Sequence, residues 1–273
     1  MIWNKLFGDR NVTKASVETP VGMVKTEFAD AIYVNADEEP QQAFVYIPPD
    51  EEVKSEYSYI FELKRALRSR LSKTMFDKVF SILILIGSFP VFVILYLFNL
   101  IEGLLIPENR GPLIFYYNAI SRGKVFRKYK IRLIKQKYID KELQAKGDWH
   151  AFQNEWMPEA RTYLGRFVKK FYLDELPQFF CVLKGDMSII GPRPLAVHHY
   201  ERDLEQGNVT RALIKGGLLG MGHINKGTPE MGKPVYEYKY IDNYIFSSPV
   251  KLLFIDISII LKGIKVMLKA KGL

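Results

Sequence analysis

Two adjacent carboxylates, Asp174 and Glu175, stand in the run Leu173-Asp174-Glu175-Leu176-Pro177-Gln178, which continues through Phe179 to Asp186. An ionised carboxylate beside a cation can ligate a metal ion and can attack phosphorus as a nucleophile. Asp174 is a favoured N-cap residue and Pro177 is tolerated in a first turn, so a short helix from about Glu175 to Lys184 is expected, ended by Gly185. Both acids would then lie at the positive end of its dipole, which favours their charged form. The plain alternative is a capped helix whose acids only stabilise its start. Next comes Met187-Ser188-Ile189-Ile190-Gly191-Pro192-Arg193-Pro194, a short apolar strand entering a loop where two prolines flank one arginine. Proline fixes the backbone, so Arg193 is presented with little entropy left to lose, and a guanidinium matches phosphate bidentately. The alternative is a stiff turn carrying a surface arginine.

These groups need something to place them. Residues 79–101 form a 23-residue run without a charge, long enough for a membrane-embedded helix. Both flanks are basic: Lys64, Arg65, Arg68, Arg70, Lys73 and Lys78 before it, and Arg122 to Lys137 after it. The positive-inside tendency asks both flanks to be cytoplasmic, which a straight span cannot satisfy and a re-entrant helix can. Ser88 and Pro90 mark the expected break, because proline removes a backbone donor and serine can satisfy a freed carbonyl. An ordinary span kinked at Pro90 is the alternative. Residues 250–271 read as a basic amphipathic helix, with Lys262, Lys265 and Lys269 opposite Ile257, Ile260, Leu261, Ile264 and Leu268. It suits either a membrane interface or packing on the core with a solvated lysine face.

The chain has 273 residues and a net charge of +9. That charge is unevenly spread. Residues 18–63 hold eleven acids and two lysines, whereas residues 64–273 carry a net +16. Such a body favours an anionic partner: nucleotide, acidic lipid or nucleic acid. Residues 1–63 read as an acidic appendage with short β-prone runs at 21–24, 31–34 and 43–47, and Pro48 to Glu52 as a stiff linker. No cleavable signal peptide is visible at Met1 to Lys5. The single Cys181 excludes an intrachain disulfide and fits a reducing compartment, and the four histidines lack zinc-site spacing. With 48% hydrophobic and 25% charged residues, wholesale disorder and a polytopic membrane bundle are excluded. A membrane-tethered nucleic-acid binder rests on charge alone.

In order, a basic flank, an apolar helix interrupted at proline, Gly111-Pro112, a basic strand, LDELPQ, KGDMSIIGPRP and an amphipathic C-terminal helix resemble the bacterial sugar transferase family, the monotopic phosphoglycosyl transferases, over roughly residues 70–273. The resemblance implies an α/β (α+β) membrane-associated domain: residues 64–104 as basic flank and re-entrant helix, 105–273 as catalytic domain. It implies transfer of a phospho-sugar from a UDP-sugar to polyprenyl phosphate, with release of UMP, on the cytoplasmic face of the bacterial inner membrane. No nucleic-acid partner is expected, and a homodimer is one candidate assembly. By the match, Asp174 would be the nucleophile and would share a magnesium ion with the diphosphate. Glu175 would handle protons or position the metal, and Arg193 would clamp phosphate. Lys130 and Arg132 match the family's Lys-Phe-Arg, Asp242 a family aspartate, and Ser88-Phe89-Pro90 its helix break with one residue inserted. The chain departs from the family's Gln-x-Arg-x-x-Gly-like stretch, since Phe115 to Gly123 keeps neither that glutamine nor that arginine in register, which leaves the donor sugar open. A catalytically silent, membrane-anchored adaptor that docks partners through the acidic N-terminal region is the alternative function.

Overall fold

The computed structural model describes residues 47–142, 155, 157–225 and 228–269. The β-prone runs expected before residue 47 lie outside these. In chain order the elements are α1 (Glu51–Glu56), α2 (Ser58–Phe61), α3 (Leu71–Leu105), β1 (Ile114–Ser121), β2 (Lys124–Ile131), α4 (Tyr163–Lys170), α5 (Gln178–Lys184), β3 (Ser188–Ile190), β4 (Leu195–Ala196), α6 (Val197–Glu205), α7 (Thr210–Leu213), β5 (Gly217–Leu219), α8 (Val235–Phe246) and α9 (Pro249–Lys269). Strands β2, β1 and β4 form an antiparallel sheet in that order, and β3 pairs in parallel with β5. The fold is therefore mixed helix and sheet.

A two-residue turn sets the β1–β2 register. Arg122 and Gly123 both adopt left-handed backbone, with φ of 54° and 67°, as a type I′ hairpin requires. Tyr117 thereby faces Lys128, and Phe115 faces Lys130. The main core gathers Cys181 and Val182 of α5, Ile189 and Ile190 of β3, Tyr238 and Ile241 of α8, and Leu252 and Ile259 of α9. The chain packs so closely beside β3 that a Cβ on Gly191 would come within 2.4 Å of the Lys215 carbonyl oxygen. That is the physical demand behind the glycine of Gly191-Pro192-Arg193-Pro194.

Of the stretch read as a stiff linker, Glu51 and Glu52 open helix α1. Asp50 caps α1 by accepting from the Val53 N–H at 2.9 Å. Val53, Tyr57 and Ile60 are buried in the main core, and the rings of Phe61 and Tyr238 stack at 4.8 Å. Apolar residues spaced three and four apart draw this segment into a helix, and proline before it serves as an entry rather than a spacer.

Helix α3 is long and apolar enough to cross a membrane. It runs unbroken through Ser88 and Pro90, which differs from the expected break. Ser88 Oγ donates to the Leu85 carbonyl at 3.4 Å, and neighbouring turns hold the helix across the missing proline N–H. Its buried residues, Lys73, Asp77, Ser81, Leu95, Asn99, Glu102 and Gly103, recur mainly at three- and four-residue spacing, so one stripe faces the protein. Val79, Leu83, Ile86, Phe89, Ile94 and Leu97 remain exposed on the rest of its surface.

Both ends of α3 dock on the same body. Near its start, Lys73 pairs with Asp256 of α9 at 2.7 Å. Asp77 accepts from Ser188 Oγ at 2.7 Å and from the Ile189 N–H at 3.1 Å. Near its end, Glu102 accepts from the N–H groups of Tyr163 and Leu164 at 2.6 and 3.0 Å, satisfying the first turn of α4. Helix α9 buries Leu252, Asp256, Ile259 and Ile260 and leaves a second apolar stripe exposed, formed by Val250, Phe254, Ile257, Leu261 and Ile264.

Candidate active site

The acids stand one turn earlier than the sequence led us to expect. Leu173–Glu175 form a 3₁₀ turn, and α5 begins only at Gln178, capped at its end by Gly185 with φ 89°. Pro177 has no N–H for the Leu173 carbonyl. That carbonyl accepts instead from Leu176 at 3.2 Å, which tightens the turn. Asp174 is thus not the N-cap of α5, and the helix dipole is not what sets its charge.

Its neighbours do that. Asp174 is 2% exposed. Its carboxylate lies 3.3 Å from Lys130 Nζ, which also lies 3.3 Å from Glu155. Lys169 reaches Glu155 at 3.5 Å. Glu175 and Arg193 pair at 2.7 Å. Burial pushes the Asp174 pKa up; Lys130 pulls it down and Glu175 pushes it up again, and the net shift is upward. Glu175 goes the other way: burial raises it, but Arg193, Lys128 and Lys130 outweigh that and hold it below the usual carboxylate range. For Lys130, burial lowers the pKa but Glu155 and Asp174 more than restore it.

The loop carrying Arg193 is itself held from below. Arg211 Nε donates to the Arg193 carbonyl at 2.8 Å, while its Nη atoms bind Asp203 at 2.9 Å and Glu237 at 2.7 Å. A shallow cleft opens beside Arg193, bordered by Gly220, Met221, Lys233 and Tyr240.

Of the residues expected at the site, Asp174, Glu175, Lys130 and Arg193 come together. Arg132 does not join them as a free cation. It donates to the carbonyls of Pro112, Ile134 and Asn109 and to Asn99 Oδ1 at 2.8–3.1 Å. It lies just past the end of β2, where buried carbonyls and the Asn99 side chain claim its donors. Asp242 lies on α8, where it accepts from the Tyr59 hydroxyl. It serves the docking of α2 rather than the carboxylate centre.

Lys128, Tyr117, Glu155 and Gln178 also belong to this neighbourhood. Tyr117 and Lys128 were legible in principle, as direct partners across the hairpin. Glu155 had no local signal. Gln178 is buried, and its Nε2 has no acceptor among the described residues. Among the described residues no three His, Cys, Asp or Glu side chains converge as a metal cage. Magnesium held by one or two carboxylates plus substrate phosphates needs no such cage, so the Asp174–Glu175 pair fits that donor set.

Fold and site together define a mixed helix-and-sheet protein with a cation-lined carboxylate centre beside a long apolar helix. Residues 68–270 match the family described as bacterial sugar transferase, and the chain belongs to that family. It is 33% identical over 215 residues to an undecaprenyl-phosphate galactose phosphotransferase of Salmonella typhimurium, covering 75% of this chain and 42% of that one. It is 35% identical over 160 residues to a UDP-glucose:undecaprenyl-phosphate glucose-1-phosphate transferase of Escherichia coli, covering 55% and 33%. A third relative, the galactosyl transferase CpsE of Streptococcus agalactiae, is 32% identical over 169 residues, covering 58% and 37%. The chain thus spans less than half the length of these relatives.

Proposed function

We propose that this chain transfers a sugar 1-phosphate from a UDP-sugar to polyprenyl phosphate and releases UMP, working from the cytoplasmic face of a bacterial inner membrane. The observation that carries this reading is Asp174, a buried carboxylate set against Lys130 beside the Glu175–Arg193 pair. In this reading an Asp174 oxygen attacks the phosphorus that bears the sugar. The bond from that phosphorus to the bridging oxygen breaks, and UMP leaves with the oxygen. An oxygen of polyprenyl phosphate then attacks the same phosphorus, the bond to Asp174 breaks, and the carboxylate is restored. Arg193 meets diphosphate oxygens arriving from the adjoining cleft. Glu175, kept ionised by its cationic neighbours, orients Arg193 rather than donating a proton. A magnesium ion held by Asp174 and the donor's diphosphate would neutralise charge there.

The names of the relatives support the substrate class. The docking of both α3 ends on one polar body supports a helix that enters the membrane without delivering its ends to opposite sides. A 35-residue helix is about 52 Å long, more than enough to span, yet a polar body cannot flank both faces of the bilayer. The exposed stripe of α9 and the exposed Tyr163, Phe167 and Phe171, beside Arg166, Lys169 and Lys170, suit the interface around it.

The test is UMP release by the full chain in detergent with undecaprenyl phosphate, magnesium and UDP-glucose, UDP-galactose or their N-acetyl counterparts. Release with at least one donor, abolished by a chelator, is expected. Silence with every donor contradicts the transferase reading, and chelator-resistant release removes magnesium from it.

A further inference from the structure

Among the described residues, the carboxylate centre holds one cation more than its acids pair with. Lys130 is set between Glu155 and Asp174, Lys169 meets Glu155, and Arg193 meets Glu175. Lys128 is 1% exposed, and among the described residues no carboxylate comes within ion-pair distance of its Nζ. Its ammonium lies over the ring of Tyr117, 5.7 Å from the centroid. Lys128 and Lys130 are two residues apart on β2, so both project from the face that Asp174 approaches. A buried ammonium without a counter-anion is costly, and a purely structural position would be served better by an apolar side chain. Gln178, four residues along from Asp174, adds a second buried donor that lacks an acceptor among the described residues.

We propose that Lys128 is a further phosphate-binding residue, whose ammonium contacts a phosphoryl oxygen of the substrate and so gains a counter-anion that no described residue provides. The proposal rests on the phospho-sugar transferase reading of the site. The phosphoryl group comes either from the donor's diphosphate or from the lipid acceptor's phosphate. The electrostatics agree with the geometry: burial first, and Arg193 second, lower the Lys128 pKa to about 7. A single nearby phosphate would reverse that and charge the amine.

The experiment compares wild type with Lys128→Met, which keeps the volume and removes the charge. Initial rates are measured with donor and acceptor varied separately, alongside melting curves and calorimetric titration with UDP and with inorganic phosphate. Lys128→Met should melt higher than wild type, since a buried charge is gone, while kcat/KM falls about 10–150-fold, the range for a charge-assisted hydrogen bond. A KM defect confined to the UDP-sugar, with weakened UDP binding, assigns the donor diphosphate. A defect confined to the lipid substrate, with UDP binding intact, assigns the acceptor phosphate. Unchanged rates and unchanged anion binding would overturn the proposal. So would a variant that loses stability and activity together, which would make Lys128 merely structural. Should wild type release no UMP, the transferase reading falls, and Lys128-dependent UDP or phosphate binding still decides the proposal.

Discussion

Asp174 and Glu175 are neighbours in the chain with opposite electrostatic fates. Burial and the Glu175 charge keep the Asp174 pKa raised despite Lys130, whereas Arg193 and the lysines of β2 hold Glu175 low. Two carboxylates pushed apart in this way can take separate roles, one reacting and one orienting. Lys128 gives this scale its pH signature. Its amine is faced by Tyr117 of β1, Lys130 of its own strand, Glu175 of the 3₁₀ turn, Cys181 of α5 and Arg193 of the loop. Its pKa of about 7 in the fold lies below the ordinary 10.5, so between those values the unfolded chain binds a proton that the folded chain does not. Stability therefore rises with pH across that window, and the full cost of the buried charge applies below pH 7. The melting advantage of Lys128→Met should be largest near pH 7 and shrink toward pH 10. An advantage that stays constant with pH contradicts this assignment. The motif residues of the centre were legible because LDELPQ and GPRP are contiguous. Glu155 was not, because only the folded chain brings it to Lys130.

At the scale of elements, α3, long and apolar enough to cross a membrane, is seated at both ends on the body that carries the site. Ser188 of the GDMSIIGPRP run holds Asp77, so part of that motif serves to seat the helix. Glu102 seats the other end, accepting from two N–H groups of α4 and from Asn109 Nδ2 at 2.7 Å. Glu102→Ala should cost about 2–4 kcal/mol by leaving these donors without an acceptor, as read by chemical denaturation in detergent. A loss below about 0.5 kcal/mol would show that they find other partners. Cysteines placed at the exposed Arg68 and Arg110 should both resist a membrane-impermeant label in intact spheroplasts. Periplasmic labelling at either one restores a straight span. The apolar run and the terminator Gly185 were readable from local pattern. The unbroken passage through Pro90 and the delayed start of α5 were not, since proline's local effect was resolved by neighbouring turns.

Over the whole molecule, the described end of the acidic N-terminal segment, residues 47–63, packs into the main core. The segment's residues up to 46 lie outside the described structure, but Val53, Tyr57 and Ile60 complete the main core. Burying apolar side chains of this size contributes about 1.5–3 kcal/mol each. A chain starting at residue 64 should therefore melt well below the full chain or aggregate, whereas one starting at residue 47 keeps every described contact. Equal melting of the two truncations would show that α1 and α2 contribute nothing. Charge asymmetry suggested a boundary near residue 63; the three-residue and four-residue spacing of Val53, Tyr57 and Ile60 carried the better signal.

The central claim is that Asp174 becomes covalently bonded to phosphorus. It is tested most directly by intact-protein and peptide mass spectrometry after incubation with a UDP-sugar and no lipid acceptor. A mass increase of one phospho-sugar, located on Asp174 and discharged by undecaprenyl phosphate, is expected. Asp174→Asn should show no adduct and should lose turnover by several orders of magnitude. Sustained UMP release by Asp174→Asn, or an adduct on another residue, would contradict the account.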